Sequence, residues 1–174
     1  MKYLVKFFVV TFFLLVCTHS FAEQKIVVLD LTYILNNSKA GKGAQEFMKK
    51  TFDNNTKKFS DIEKSLKKGE SDLLAKKNIL SKEEYGKKMN LLRKKNMDYQ
   101  TERRSAIDKI TAYRTKARAK LLEKIKPIVE TYIKENNISL VVDKKYILGG
   151  GEGTDITKVV VEKLNKDLPS LNLK

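Results

Sequence analysis

The sequence predicts an α+β fold, mostly α: a long antiparallel helical hairpin with coiled-coil packing, carried on a small β body that oligomerises. Three observations lead there. Apolar residues recur at steps of four and three on both sides of a short "NILS" interruption at 78–81. Two β-branched runs, "KIVVLDL" and "ISLVVD", stand on opposite sides of that charged stretch. Beyond Lys2 and Lys6, all of the excess positive charge lies between residues 41 and 126.

The first 22 residues read as a leader. Lys2 and Lys6, the apolar run "FFVVTFFLLV" and "SFA" before Glu23 form the n-region, h-region and small-residue cleavage site of a secretory signal peptide. Cleavage is expected after Ala22. A permanent anchor would need roughly 20 apolar residues, and Phe7 to Val16 is ten. Lipidation at Cys17 is disfavoured because Val16 stands where a small residue belongs. Removing residues 1–22 takes away Cys17 and His19, the only cysteine and the only histidine. Thiol or imidazole nucleophile systems, zinc sites built on those ligands and disulfide frameworks then lack their residues. No catalytic residue, metal ligand or cofactor is assigned, and the chain reads as not an enzyme.

After the leader, 34 basic residues face 21 acidic ones, a net of +13. Such a field attracts anionic surfaces and acidic polypeptides and says little about fold. "KIVVLDL" opens the body, which is expected over 23–42 and 118–174, with the arm over 43–117 and its tip near 78–81.

The arm follows from hydrophobic period. Met48, Phe52, Asn55, Phe59, Ile62, Leu66, Gly69 and Leu73 step as a heptad seam, and Tyr85, Met89, Leu92, Asn96, Tyr99, Arg103, Ala106 and Ile110 repeat it. Folding the chain at position 79 places Leu73 on Tyr85, Gly69 on Met89, Leu66 on Leu92, Ile62 on Asn96, Phe59 on Tyr99, Asn55 on Arg103 and Phe52 on Ala106. Large residues then face small ones, as close packing favours. Ser81 with Glu84 is a capping box that starts the return helix, so the adjacent carboxylates Glu83 and Glu84 serve the helix end rather than acid/base chemistry. Each limb, from Gly43 to Lys77, would be about 50 Å long. Gly69 and Gly86 are candidate soft points near the tip, since an interior Gly weakens a helix by roughly 1 kcal/mol.

Farther along, Ala117, Leu121, Leu122, Ile125, Ile128, Val129, Tyr132 and Ile133 make a wider stripe that should dock on the body, with a kink or weak point expected at Pro127. Asn136 and Asn137 read as the helix stop, "ISLVVD" as a strand and "KYIL" as a third strand after a "DKK" turn. "TDITKVVVEKLNK" reads as a closing helix capped by Thr154 or Asp155. "GGGEG", Gly149 to Gly153, lacks the Gly-Lys-Ser/Thr ending of a phosphate loop and carries acid where phosphate would sit, so it reads as a connector. Three short strands leave open edges that invite pairing between chains. Ile26, Val28, Leu140 and Val142 are the residues expected to carry that association.

Together, the leader, "KIVVLDLTYILNNSKAGK", the basic hairpin, "RAKLLEKIKPIVETYIKENNISLVVDKKYIL" and "DITKVVVEKLN" resemble the Skp/OmpH family of periplasmic chaperones. The resemblance covers residues 23–174 and is most specific over 118–143. It implies a jellyfish-like homotrimer in which strands of three chains close a small barrel and three arms enclose a cavity. It also implies an ATP-independent periplasmic holdase for unfolded outer-membrane proteins. Members of the family have been linked to lipopolysaccharide. No local pattern here matches such a site, and lipopolysaccharide or an anionic membrane surface stays an additional candidate partner.

With those roles as guide, arm lysines and arginines (Lys87, Lys88, Lys94, Lys95, Arg103, Arg104) would attract acidic unfolded chains over about 8–10 Å. Leu74, Leu91, Met97 and Ile107, apolar residues off the seam, would supply many weak contacts. The alternative from another class is a basic coiled-coil protein that binds nucleic acid or anionic envelope components. Against nucleic acid stand the leader and the lack of an Arg-rich helix face or aromatic stacking platform, which leaves only non-specific phosphate contacts.

Overall fold

In the computed structural model the structure describes residues 24–151 and 153–173. The leader reading of residues 1–22 lies outside them, as does Glu152 of the glycine run. Strand β1 (Lys25–Leu29) is followed by helices α1 (Leu31–Asn37), α2 (Lys39–Ala75) and α3 (Lys82–Glu135), then strand β2 (Ile138–Asp143) and helix α4 (Thr157–Asp167).

The two strands pair in parallel, with Ile26 opposite Leu140 and Val28 opposite Val142. Val27 and Leu29 alternate onto the core face. On β2 the core residues are Ile138 and Val141, three apart rather than two. The register shift beside Lys25 and Ile26 explains that spacing, because an extra residue in one strand changes which side chains face inward.

Expectation and structure part at three places around the sheet. "KYIL" does not form a third strand: Lys144–Tyr146 is a single 3₁₀ turn, set by the Asp143 side chain accepting from Lys145 N and closed by Ile147 N donating to Lys144 O. The second partner of β1 is the stretch before α4, where Val28 N donates to Thr154 O at 2.8 Å and Ile156 N donates to Val28 O at 3.0 Å. That pairing moves the start of α4 past both expected caps. Its N-cap is Ile156, and Asp155 Oδ1 accepts from Thr157 N at 2.9 Å as a turn rather than a cap. Thr154 hydrogen-bonds back to Gly151 through both its N–H and its hydroxyl, and Gly153 supplies the positive φ of 83° that this connector needs.

A short helix, α1, lies between β1 and the arm, in a stretch of the body to which the sequence reading assigned no element. Asp30 caps it by accepting from Tyr33 N at 2.7 Å, and the fully buried Ser38 caps α2 by accepting from Gly41 N at 3.2 Å. Gly41 is required there, since a Cβ would lie 2.0 Å from the carbonyl oxygen of Leu35. The core gathers Val27 and Leu29 of β1, Ile34 of α1, Leu121, Ile125 and Ile128 of α3, and Val160 and Leu164 of α4. Leu168 and Leu171 fold back onto it after α4. Lys163 ties α4 to α3 by an ion pair with Glu135 at 3.2 Å and by lying 5.4 Å over the Tyr132 ring.

Helix α3 runs unbroken through Pro127, which sits on its exposed face while Ile125 and Ile128 are buried. It stops at Asn136, and Asn137 takes the left-handed conformation (φ 51°) common just past a helix end. The turn between α2 and α3 ends in the expected capping box: Ser81 Oγ accepts from Glu84 N at 3.2 Å and Glu84 Oε2 accepts from Ser81 N at 3.1 Å.

Near the tip the seam is the expected one, with Leu66, Leu73 and Tyr99 buried and the Phe59 and Tyr99 rings edge-to-face at 5.9 Å. Toward the core it departs. Phe52 is 58% exposed and Arg103 is exposed as well, while on the tip side of Phe59 and Tyr99 the one departure in exposure is Asn96. The shielded stripe of α2 runs Phe47, Thr51, Asn55, Phe59, and Phe47 stacks edge-to-face on Tyr113 at 5.2 Å. A straight helix has 3.6 residues per turn, so a strict 3.5 repeat drifts by roughly 20° per heptad, and steps of four bring the stripe back to its partner. Gly69 likewise lies against Leu92, 3.3 Å from where a Cβ would be, rather than against Met89. The Phe59–Tyr99 contact makes a direct prediction: cysteines at 59 and 99 crosslink within one chain, and their failure to do so contradicts the register.

Candidate functional site

The hairpin is where charge and exposed apolar surface meet. Leu74, Leu91, Met97 and Ile107 all stand out from it, each more than half exposed. So does Ile79 at the very tip, 80% exposed, which hydrophobic period gave no reason to single out. Lys87, Lys88, Lys94, Lys95, Arg103 and Arg104 are exposed. Of these, Lys87 is engaged, pairing with Glu83 at 2.6 Å along its own helix. Glu84 is held below its ordinary carboxylate range by hydrogen bonds from the Ser81 hydroxyl and backbone. The adjacent carboxylates at the tip are therefore used by the turn and the first helical pair.

Near the tip the seam is grooved on both sides, and the two sides differ. On one side Gly69, Leu73, Leu91 and Leu92 form the apolar floor, with Lys76, Lys88 and Lys95 at the rim and Asp72 as the single carboxylate. The opposite side holds Leu73, Leu74, Tyr85, Met89 and Leu92, with Arg93 balanced by Glu70. Of the residues singled out by sequence, the structure therefore brings Lys88, Leu91 and Lys95 together in one groove and puts Leu74 in the other. Lys94, Met97, Arg103, Arg104 and Ile107 line neither. Asp72 and Lys76 were missed, although their spacing of three and seven from Gly69 would have put them on that face.

The sheet presents the other candidate surface. Ile26 (47% exposed) and Leu140 (53% exposed) sit opposite each other on the face turned away from the core. Val28 and Val142 share that face, but Val28 is already buried within its own chain and Val142 is half-buried. The apolar patch on offer is thus Ile26 with Leu140. At the sheet margin Lys144 donates to Asp155 at 2.7 Å. Partial burial alone would raise the Asp155 carboxyl, but the bonds from Lys144 and Thr157 outweigh it and hold the group at about 2. That pair ties the 3₁₀ turn after β2 to the Thr154–Ile156 stretch that is the second hydrogen-bonded partner of β1.

A family model described as "Outer membrane protein (OmpH-like)" matches residues 25–164, from the first residue of β1 to Leu164 in the core of α4. The chain belongs to this OmpH-like family. A Skp-like protein of Pseudomonas aeruginosa is 24% identical over 166 residues, spanning 95% of this chain and 99% of its own length. The crystal structure of a protein designated an outer membrane chaperone (OmpH-like), from Caulobacter crescentus CB15, superposes with a TM-score of 0.80 at 17% identity, covering 90% of this chain and 93% of the other. At that identity the match speaks for the fold: the OmpH-like pattern of a long helical hairpin on a small sheet is common to both. Among the described residues no helix is long and apolar enough to cross a membrane.

Proposed function

We propose that this OmpH-like protein is an ATP-independent holdase chaperone of the periplasm, which keeps unfolded outer-membrane proteins from aggregating by holding them against the hairpins of a homotrimer. The observation that carries the reading is the surface of the hairpin, where exposed apolar side chains stand among unpaired cations on an elongated scaffold. A rigid enzyme pocket is built differently, with an enclosed apolar cavity and a few convergent polar groups. Here many weak sites are spread along two helices, which suits a long, unfolded and acidic partner through multivalency.

Family membership and the two similar proteins support a chaperone role. Assembly is supported by the Ile26–Leu140 patch and by the outer edge of β2, since exposed apolar patches and unpaired strand edges both favour association. The trimer would be the product of joining these short sheets. Residues 1–22 would direct export, and their cleavage after Ala22 would leave Gln24 and the start of β1 close to the new N-terminus.

The reading is tested by diluting a urea-unfolded outer-membrane barrel into the purified protein and sizing the mixture by sedimentation velocity, with and without excess duplex DNA. A soluble complex that survives the DNA supports the holdase. A protein that binds only the DNA, with affinity falling steeply in salt, is instead a basic coiled-coil protein for anionic polymers.

A further inference from the structure

We infer that the lysine-rimmed groove near the hairpin tip is a discrete subsite that takes one large apolar side chain of an extended peptide together with carboxylates flanking it. This inference rests on the holdase reading and deepens it, because it assigns part of the capture to one place rather than to the arm as a whole.

The geometry is that of two matching helical stripes. Gly69, Asp72 and Leu73 on α2 with its C-cap Lys76, and Lys88, Leu91, Leu92 and Lys95 on α3, each follow the 0, 3, 4, 7 spacing of a single helix face. They meet across the seam with the glycine at the centre, where a side chain would close the space: a Cβ on Gly69 would already stand 3.3 Å from Leu92 Cδ1. Leu91 forms one wall and remains 55% exposed.

Charge selects the occupant. Among the described residues none of Lys76, Lys88 and Lys95 makes an ion pair, whereas Lys58, Lys67 and Lys87 elsewhere on the hairpin do. The carboxylate nearest in sequence to Lys88 on its own face is Glu84, which feels the Lys88 charge without forming an ion pair with it and is hydrogen-bonded to Ser81 at the turn, outside the groove. Three ammonium groups thus face one carboxylate across an apolar floor. The opposite side of the same seam, lined by one cation, Arg93, and one carboxylate, Glu70, has no such excess. An apolar side chain without charge would find both sides alike, so the difference between them favours a peptide whose apolar residue lies between acidic ones.

The test uses the intact mature chain and two fluorescent peptides, an extended sequence with one Phe between aspartates and its counterpart with asparagines. Fluorescence anisotropy should show the aspartate peptide binding the more tightly. The double variant Lys88→Glu/Lys95→Glu should weaken that binding by about fivefold or more, and Leu91→Ser should weaken both peptides. The control Lys64→Glu/Lys68→Glu reverses the same amount of charge at exposed positions on α2 that line neither groove and should change binding by less than about twofold. Equal losses in the two charge-reversed variants would assign the effect to the general field of the arm and overturn the subsite while leaving the holdase intact. No peptide binding by a protein that does capture an unfolded barrel overturns it as well, as does capture of anionic phospholipid vesicles in place of the peptide. A wild-type protein that fails to hold any unfolded chain would remove the holdase reading itself.

Discussion

Replacing Ile26 and Leu140 together by Lys is expected to yield a folded monomer. Both side chains are about half exposed in the single chain, so the substitution removes little that holds one protomer together. They face each other across β1 and β2 on the side away from the core, and two cations there would sit directly opposite each other and repel. In an assembly that covers this face, the same change would bury two unpaired charges, which costs several kcal/mol. Sedimentation equilibrium should therefore report the protomer mass while the far-ultraviolet circular dichroism keeps its helical signal. An oligomer that persists would place the contact elsewhere. Val28, shielded within its own chain, would behave differently: its replacement by Lys should disrupt the fold as well as assembly.

The second large effect is expected in the core. Leu164 is fully buried on α4, one turn beyond Val160, and α4 packs on both α1 and α3. Truncation to Ala removes the buried methyl groups and leaves a cavity, and substitutions of this kind cost about 2–5 kcal/mol. At fixed protomer concentration the melting temperature should fall on the order of 10 °C. Leu91→Ala, on the exposed hairpin, should leave it nearly unchanged. The contrast separates a residue that holds the fold from one that serves the surface, and it fails if both variants melt alike.

How much of this was legible in the sequence depended on the range over which each signal acts. The capping box at Ser81 and Glu84, the Asn136–Asn137 stop and the β-branched runs are local, and they appear in the structure at the residues expected. The Phe59–Tyr99 contact followed from a mirrored heptad pattern, which holds within a few turns of the tip. Farther down, the phase of that pattern relative to a 3.6-residue helix accumulates, and Phe52 came out on the exposed face while Phe47 found Tyr113. Whether "KYIL" or Thr154–Ile156 flanks β1 was decided by hydrogen bonds to Val28, more than a hundred residues away, against a local Asp143 turn that no strand propensity registers. The chain's charge located the arm, but composition does not distinguish one side of a seam from the other. The groove needed the two stripes brought together, and Lys76 entered only then.

The most direct measurement is light scattering of a urea-unfolded outer-membrane barrel diluted into buffer with increasing amounts of purified residues 23–174. Suppression of aggregation, complete near one trimer per unfolded chain and lost when the tip-side hairpin residues 60–98 are deleted, is the predicted result. Aggregation that proceeds unchanged at a severalfold excess of the full mature chain would contradict the account.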